Sequence, residues 1–168
     1  KGFDVLPVYC DLIDGKFKIS QNYAKRNELI KRDNDPLLNT SVGDVFIGCD
    51  LNFNLADDNY IDVFRSSGAD VYIIVYDLLP LLLPMRYFSH KMSNDYSLWI
   101  KAVSHATGLM CISKTVADEV VSFLPAIGDQ NYNLPLSINF FPMGVDFQEV
   151  NTSISDDMIN SLKLQLAD

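Results

Sequence analysis

Four short runs, Asp44–Cys49, Val71–Tyr76, Leu109–Ile112 and Ser137–Phe141, constrain the fold more than any other feature of the chain. Each is bounded by Gly, Pro, Asp or Asn, and most are rich in the Val, Ile, Phe and Tyr that fit a pleated surface. They are nearly continuous in apolarity rather than alternating, the pattern of strands covered on both sheet faces. Between them lie segments with helical spacing. Asp57-Asp58 can open a helix over Tyr60–Ser67 that Gly68 ends, with Ile61, Phe64 and partly Val63 on one face. The longest helical stretch is Ser93–Ala106, where Met92, Tyr96, Trp99, Ile100, Val103 and Ala106 form one apolar stripe. Ser113 sits at the N-cap of a further helix, Thr115–Leu124, with Val116, Val120 and Phe123 inward and Pro125 as its stop. Strands alternating with helices predict an α/β fold, an open and mainly parallel sheet with helices on both faces.

The flanks read differently. Val5–Asp11 and Lys16–Ile19 form an extended excursion around an Asp14-Gly15 turn, 126–136 is a polar loop, and Asp156–Leu166 is an amphipathic helix leading outward. The expected organisation is one domain over 1–150 and an exit helix or linker over 151–168. The 168 residues, 48% hydrophobic, suffice for one sizeable core and exclude a disordered chain. The formal charge of −9 argues against a nucleic-acid footprint. It also weakens docking on anionic lipid, although a local basic patch leaves room for peripheral membrane contact. The most apolar stretch, Val71–Leu83, is broken by Asp77 and Pro80 and is far shorter than the ~20 residues of a membrane span, so it reads as a buried strand with its exit loop. Cys10, Cys49 and Cys111 are too widely spaced for a disulfide framework or a zinc site. Cys49 and Cys111 fall in strand-like segments and are expected as buried free thiols in a reducing compartment. The chain opens on Lys1-Gly2-Phe3 without a methionine, as expected of a fragment or trimmed chain.

In open α/β sheets, ligands bind beyond the carboxyl ends of the strands. That rule selects Asp50, Tyr76-Asp77, Ser113-Lys114 and Met143-Gly144-Val145-Asp146. The same residue types also cap helices and make turns, so position alone leaves both readings open. Asp77 is the sharpest candidate, because a charge that interrupts an apolar run must be paired, hydrated at a cleft or beside a ligand. Its structural alternative is to cap the loop through Pro80 and Pro84. Arg86 and Lys114 are the cations that a phosphate-bearing substrate would need near the strand ends. His90, in a polar loop, and His105, at a helix end where a cation suits the dipole, are weaker candidates. Gly-x-Gly-x-x-Gly, a Walker loop, Gly-x-Ser-x-Gly and a metal-spaced His/Glu set are all absent from the sequence, so no metal or cofactor is expected and no complete catalytic kit is present.

Taken together, the strand exits carry a resemblance. Gly68–Pro80, containing Tyr76-Asp77-Leu78-Leu79-Pro80, is followed by Pro84 and Tyr87-Phe88. Further along come Trp99–Ala106, Gly108–Ile112, Ser113–Glu119 and Phe141-Pro142-Met143-Gly144-Val145-Asp146, with Gly43–Gly48 before them all. In this order they resemble the amino-terminal domain of GT-B-fold, group-1 retaining glycosyltransferases over roughly residues 42–147. The resemblance implies a Rossmann-like acceptor-side domain of a sugar-transferring enzyme. A nucleotide-sugar donor would bind a second domain not contained in this chain, and a polysaccharide or lipid-linked glycan would be the acceptor. It further implies a cytoplasmic bacterial protein, peripheral at the inner face of the membrane. Asp77 would act at the reaction centre or shape its cleft, while Tyr76, Arg86, Ser113, Lys114, Gly144 and Asp146 would bind substrate. Tyr76 stands where many relatives have His, which removes any histidine-based role there. Without its donor half, this chain alone is expected to be inactive. Two other classes compete. A receiver-like signalling module would use Asp57-Asp58, Asp77 and Lys114, but the spacings depart from that pattern. A protein-interaction domain without transfer activity is the third class.

Overall fold

The computed structural model describes residues 4–11, 13–20, 35–56, 59–83, 86–127 and 136–144. Asp57-Asp58, Pro84, Asp146, most of the polar loop over 126–136 and the expected exit helix over Asp156–Leu166 lie outside them.

The expected N-terminal excursion is a hairpin. β1 (Val8–Cys10) pairs antiparallel with β2 (Phe17–Ile19), with Cys10 opposite Phe17. The Asp14-Gly15 turn needs its glycine, since Gly15 has φ 70°, in the left-handed region. Lys18 is buried beneath the turn, its Nζ 2.7 Å from Asp11 and 3.0 Å from Asp14. Phe17 carries the hairpin into the core by edge-on ring contacts with Phe46, Tyr60 and Phe64.

The four apolar runs are the strands of one parallel sheet: β3 (Val45–Gly48), β4 (Asp70–Val75), β5 (Gly108–Cys111) and β6 (Ser137–Phe140), in the order β3-β4-β5-β6. This is the open, parallel α/β, Rossmann-like architecture that the strand–helix alternation predicts, with one correction: the described helices cover one face of the sheet rather than both. The register sets Gly48 beside Ile73, Ile73 beside Leu109, and Leu109 beside Ile138. The connecting helices are α1 (Tyr60–Ser66), the single-turn α2 (Leu79–Leu82), α3 (His90–Val103) and α4 (Lys114–Phe123). Successive crossovers step along the sheet in one direction, and right-handed crossovers then place α1, α3 and α4 on the same face. That face holds the core: Val71, Ile73, Val75, Leu109 and Cys111 meet Ile61, Phe64, Trp99, Ile100, Val103, Val116 and Val120 in one buried cluster. Burying an aliphatic side chain of this size contributes about 1.5–3 kcal/mol. Val45 and Ile47, on the opposite face, are 55% and 57% exposed.

Local rules explain where the helices start. Ser89 caps α3, its Oγ accepting from the Met92 N–H at 3.2 Å, so the helix begins three residues before the expected Ser93. His90 is therefore the first helical residue rather than a loop residue. Met92 lies on the exposed side of that turn, while Tyr96, Trp99, Ile100 and Val103 are buried as expected. On α1, Ile61 and Phe64 are buried on one face, whereas Val63, about 160° round the helix from Ile61, points away from the sheet and is exposed. Gly68, at φ 89°, ends the turn after α1. Of the two strand-like cysteines, Cys111 is buried, but Cys49 is exposed because it lies one residue past the end of an edge strand. Leu79, Leu82 and Leu83 are exposed too, since α2 projects beyond the sheet instead of continuing it.

Candidate functional site

The carboxyl ends of the four parallel strands lie side by side, so their exits form one rim. Backbone hydrogen bonds continue the pairing past the strands: Ile112 N–H donates to the Val75 carbonyl at 3.2 Å, and Phe141 N–H to the Cys111 carbonyl at 2.9 Å. This brings Tyr76-Asp77, Ser113 and the Phe141–Gly144 segment to the same end of the sheet.

Tyr76 follows Tyr72 and Ile74 in the strand alternation and is 40% exposed. Its Oη donates to the Cys49 carbonyl at 2.7 Å, tying the exit of β4 to that of β3. Asp77 is half-buried, and its Oδ1 accepts the Leu79 N–H at 2.9 Å. The carboxylate thus serves the first turn of α2, the structural role that the sequence left open, with Pro80 buried in that turn. Leu78, fully buried, anchors the loop from below. From α3 the phenol of Tyr96 donates to the Asp77 backbone carbonyl. Burial, then the Asp77 charge, raises the Tyr96 pKa, so this group remains a donor throughout the neutral range.

Ser113 is the N-cap of α4, its Oγ accepting from the Val116 N–H at 3.2 Å. Lys114 follows it, but its ammonium is engaged by Asp118 at 2.6 Å on the exposed surface. Arg86 is exposed, with its guanidinium carbon 5.3 Å from the centre of the Tyr87 ring. These two cations have separate partners in this geometry. Gly144 is exposed at the end of the β6 exit, and Asp146 lies outside the described residues. His105 sits 3.3 Å from Asp62 of α1, away from the rim residues. No group of three or more His, Cys, Asp or Glu among the described residues could hold a metal ion.

Two shallow clefts flank α-helices. One, of about 280 Å³, lies between α1 and α3 and is lined by Asn59, Asp62, Lys101 and His105 among others. The other, of about 380 Å³, opens between α2 and α4, where Leu82, Thr115, Glu119 and Phe123 line it. The second adjoins the rim through α2 and the start of α4. Sequence reasoning missed Tyr96, whose place on an apolar stripe marks it as core. The hydroxyl at a core position was the available signal.

No family model matches the chain, and no solved structure matches it. Curated relatives do. Over 87 residues, half of the chain, it is 32% identical to a serotype-specific mannosyltransferase WbdA of Escherichia coli. A second Escherichia coli protein of the same name is likewise 32% identical over 87 residues. A third protein of that name and organism is 26% identical over 153 residues, 86% of the chain. The chain covers only 10 to 18% of the length of these relatives. The similarity is to a glycosyltransferase, and it extends over most of this chain in the third alignment.

Proposed function

We propose that this chain is the acceptor-side domain of a retaining, GT-B-type glycosyltransferase that moves a mannosyl unit from a nucleotide-activated donor to a polysaccharide or lipid-linked glycan. The single observation that carries this reading is similarity to a mannosyltransferase over 86% of the chain. The geometry is compatible with it: Tyr76, Asp77, Ser113 and Gly144 follow the carboxyl ends of the parallel strands, the end at which open α/β sheets in general bind ligands. Residues 1–150 would form the domain, 151–168 would lead toward the donor-binding part, and this part alone would not transfer sugar.

In this reading the rim acts by positioning and by polar contact. The Asp77 carboxylate and the Tyr76 phenol meet sugar hydroxyls, while Ser113 and the Gly144 turn line the floor. Arg86 and Lys114 would reach an anionic part of donor or acceptor only by leaving Tyr87 and Asp118. No helix among the described residues is long and apolar enough to cross a membrane. Peripheral contact at the inner face would then fall to the exposed Leu79, Leu82 and Leu83.

The test uses the full native polypeptide with nucleotide-activated mannose, glucose and galactose and a glycan acceptor. Mannosyl transfer that Asp77→Asn reduces by about 10-fold or more, with an unchanged unfolding midpoint, is the expected result. Absence of transfer from every donor overturns the reading, and an equal loss of folding reduces Asp77 to its capping role.

A further inference from the structure

We propose that Tyr96 is a positioning residue, whose phenol holds the backbone of Asp77 so that the Asp77 carboxylate faces the acceptor in a single orientation. This inference rests on the acceptor-side reading of the rim, and it extends that reading to a core side chain outside the strand exits.

The loop 76–79 is fixed from three directions: Tyr76 Oη on the Cys49 carbonyl, Leu79 N–H on Asp77 Oδ1, and Tyr96 Oη on the Asp77 carbonyl. The first two involve exposed groups that compete with water, so each contributes little rigidity. The third comes from a side chain only 4% exposed. The Tyr96 ring is flanked by Trp99 at 5.2 Å and Phe53 at 6.5 Å between ring centres, so its hydroxyl is a fixed point.

Packing does not account for that hydroxyl. Phenylalanine would fill the same volume against the same rings, and a buried hydroxyl costs free energy unless a partner accepts from it. The partner is the Asp77 carbonyl. The remaining lone pairs of the carboxylate, chiefly on Oδ2, carry no hydrogen bond from a described residue and suit a sugar hydroxyl. Tyr96 thus reaches the acceptor through one peptide unit without touching it.

The experiment compares Tyr96→Phe, Asp77→Asn and the double variant in the full native polypeptide, reading acceptor and donor kinetics, amide exchange at Leu79 and the urea midpoint. Tyr96→Phe is expected to lower kcat/KM for the acceptor about 10-fold, leave the donor KM unchanged, and speed exchange at Leu79 but not in β4 or α3. Adding it to Asp77→Asn is expected to cost nothing further, because both act through one carboxylate. Unchanged acceptor kinetics, full additivity, or unchanged Leu79 exchange overturns the proposal. Should the wild-type polypeptide transfer no sugar, the acceptor-side reading fails. The Leu79 exchange then still decides whether Tyr96 holds the loop.

Discussion

The two faces of the parallel sheet are built by the same strands from similar residues, yet they have different surroundings. On one face Val71, Ile73, Val75, Leu109 and Cys111 are fully buried under α1, α3 and α4. On the other, Val45 and Ile47 are exposed and Tyr72, Ile74 and Met110 are half-buried. The helices of the described residues cover the first face because the strand order never reverses direction. Burial of an apolar strand is therefore decided by topology as much as by its own hydropathy.

Truncating each face in turn gives the largest contrast. Ile73→Ala is expected to cost about 3 kcal/mol of unfolding free energy and Ile74→Ala about 1 kcal/mol, read from urea denaturation. Equal losses would show that the second face is just as buried in solution, and the asymmetry would fall. A subtler break lies at Gly108. A Cβ there would stand 3.0 Å from the Tyr72 ring and 3.1 Å from the Ser137 carbonyl oxygen, so Gly108→Ala is expected to cost about 1–3 kcal/mol. Tyr72→Ala should recover part of that loss, leaving the share due to the carbonyl. No recovery would place the strain in the backbone alone.

Thiol chemistry sharpens the same contrast with a smaller effect. Burial pushes the Cys111 thiol up to about 11, so the folded chain keeps a proton that the unfolded chain releases near its ordinary value. Stability is then expected to decline as pH rises from about 9 to about 11, and Cys111→Ala should flatten that decline. At pH 8 a maleimide should modify exposed Cys49 first and reach Cys111 only through unfolding; equal rates would contradict the burial. The smallest effect belongs to the hairpin. The Lys16 backbone N–H, then Lys18, holds the Asp14 carboxyl below its usual range. Its contribution is present above the unfolded carboxylate value of about 3.9 and is lost as pH falls through the lower folded value. Lys18→Met should weaken that acid dependence in a pH series of unfolding midpoints.

Much of this architecture is legible in the residues. The four strands lie within about a residue of their apolar runs, because β-branched density and Gly or Asp punctuation are local signals. Ser113 caps its helix as its position predicts. The one-sided covering was not legible, since continuous apolarity records what a strand can bury and not what its neighbours supply. Exposed Cys49 shows the same limit: strand-like in composition, it sits at an edge that only the sheet order defines. At the rim, the strand-exit rule found Asp77 and Tyr76, but the partners of their polar atoms come from residues distant in sequence. Cys49 and Tyr96 became visible as partners only when the chain was folded.

The unreversed strand order also shapes how the molecule is made. In β3-β4-β5-β6, every strand after β3 pairs with the one synthesised just before it. A chain leaving the ribosome can therefore add each β–α unit to an edge that already exists, and none of these four strands waits for one of the others still to be translated. Each pairing closes a loop of a single β–α unit, and the entropic cost of closure rises with loop length. These four strands can assemble in the direction of translation, with β6 the last of them to join.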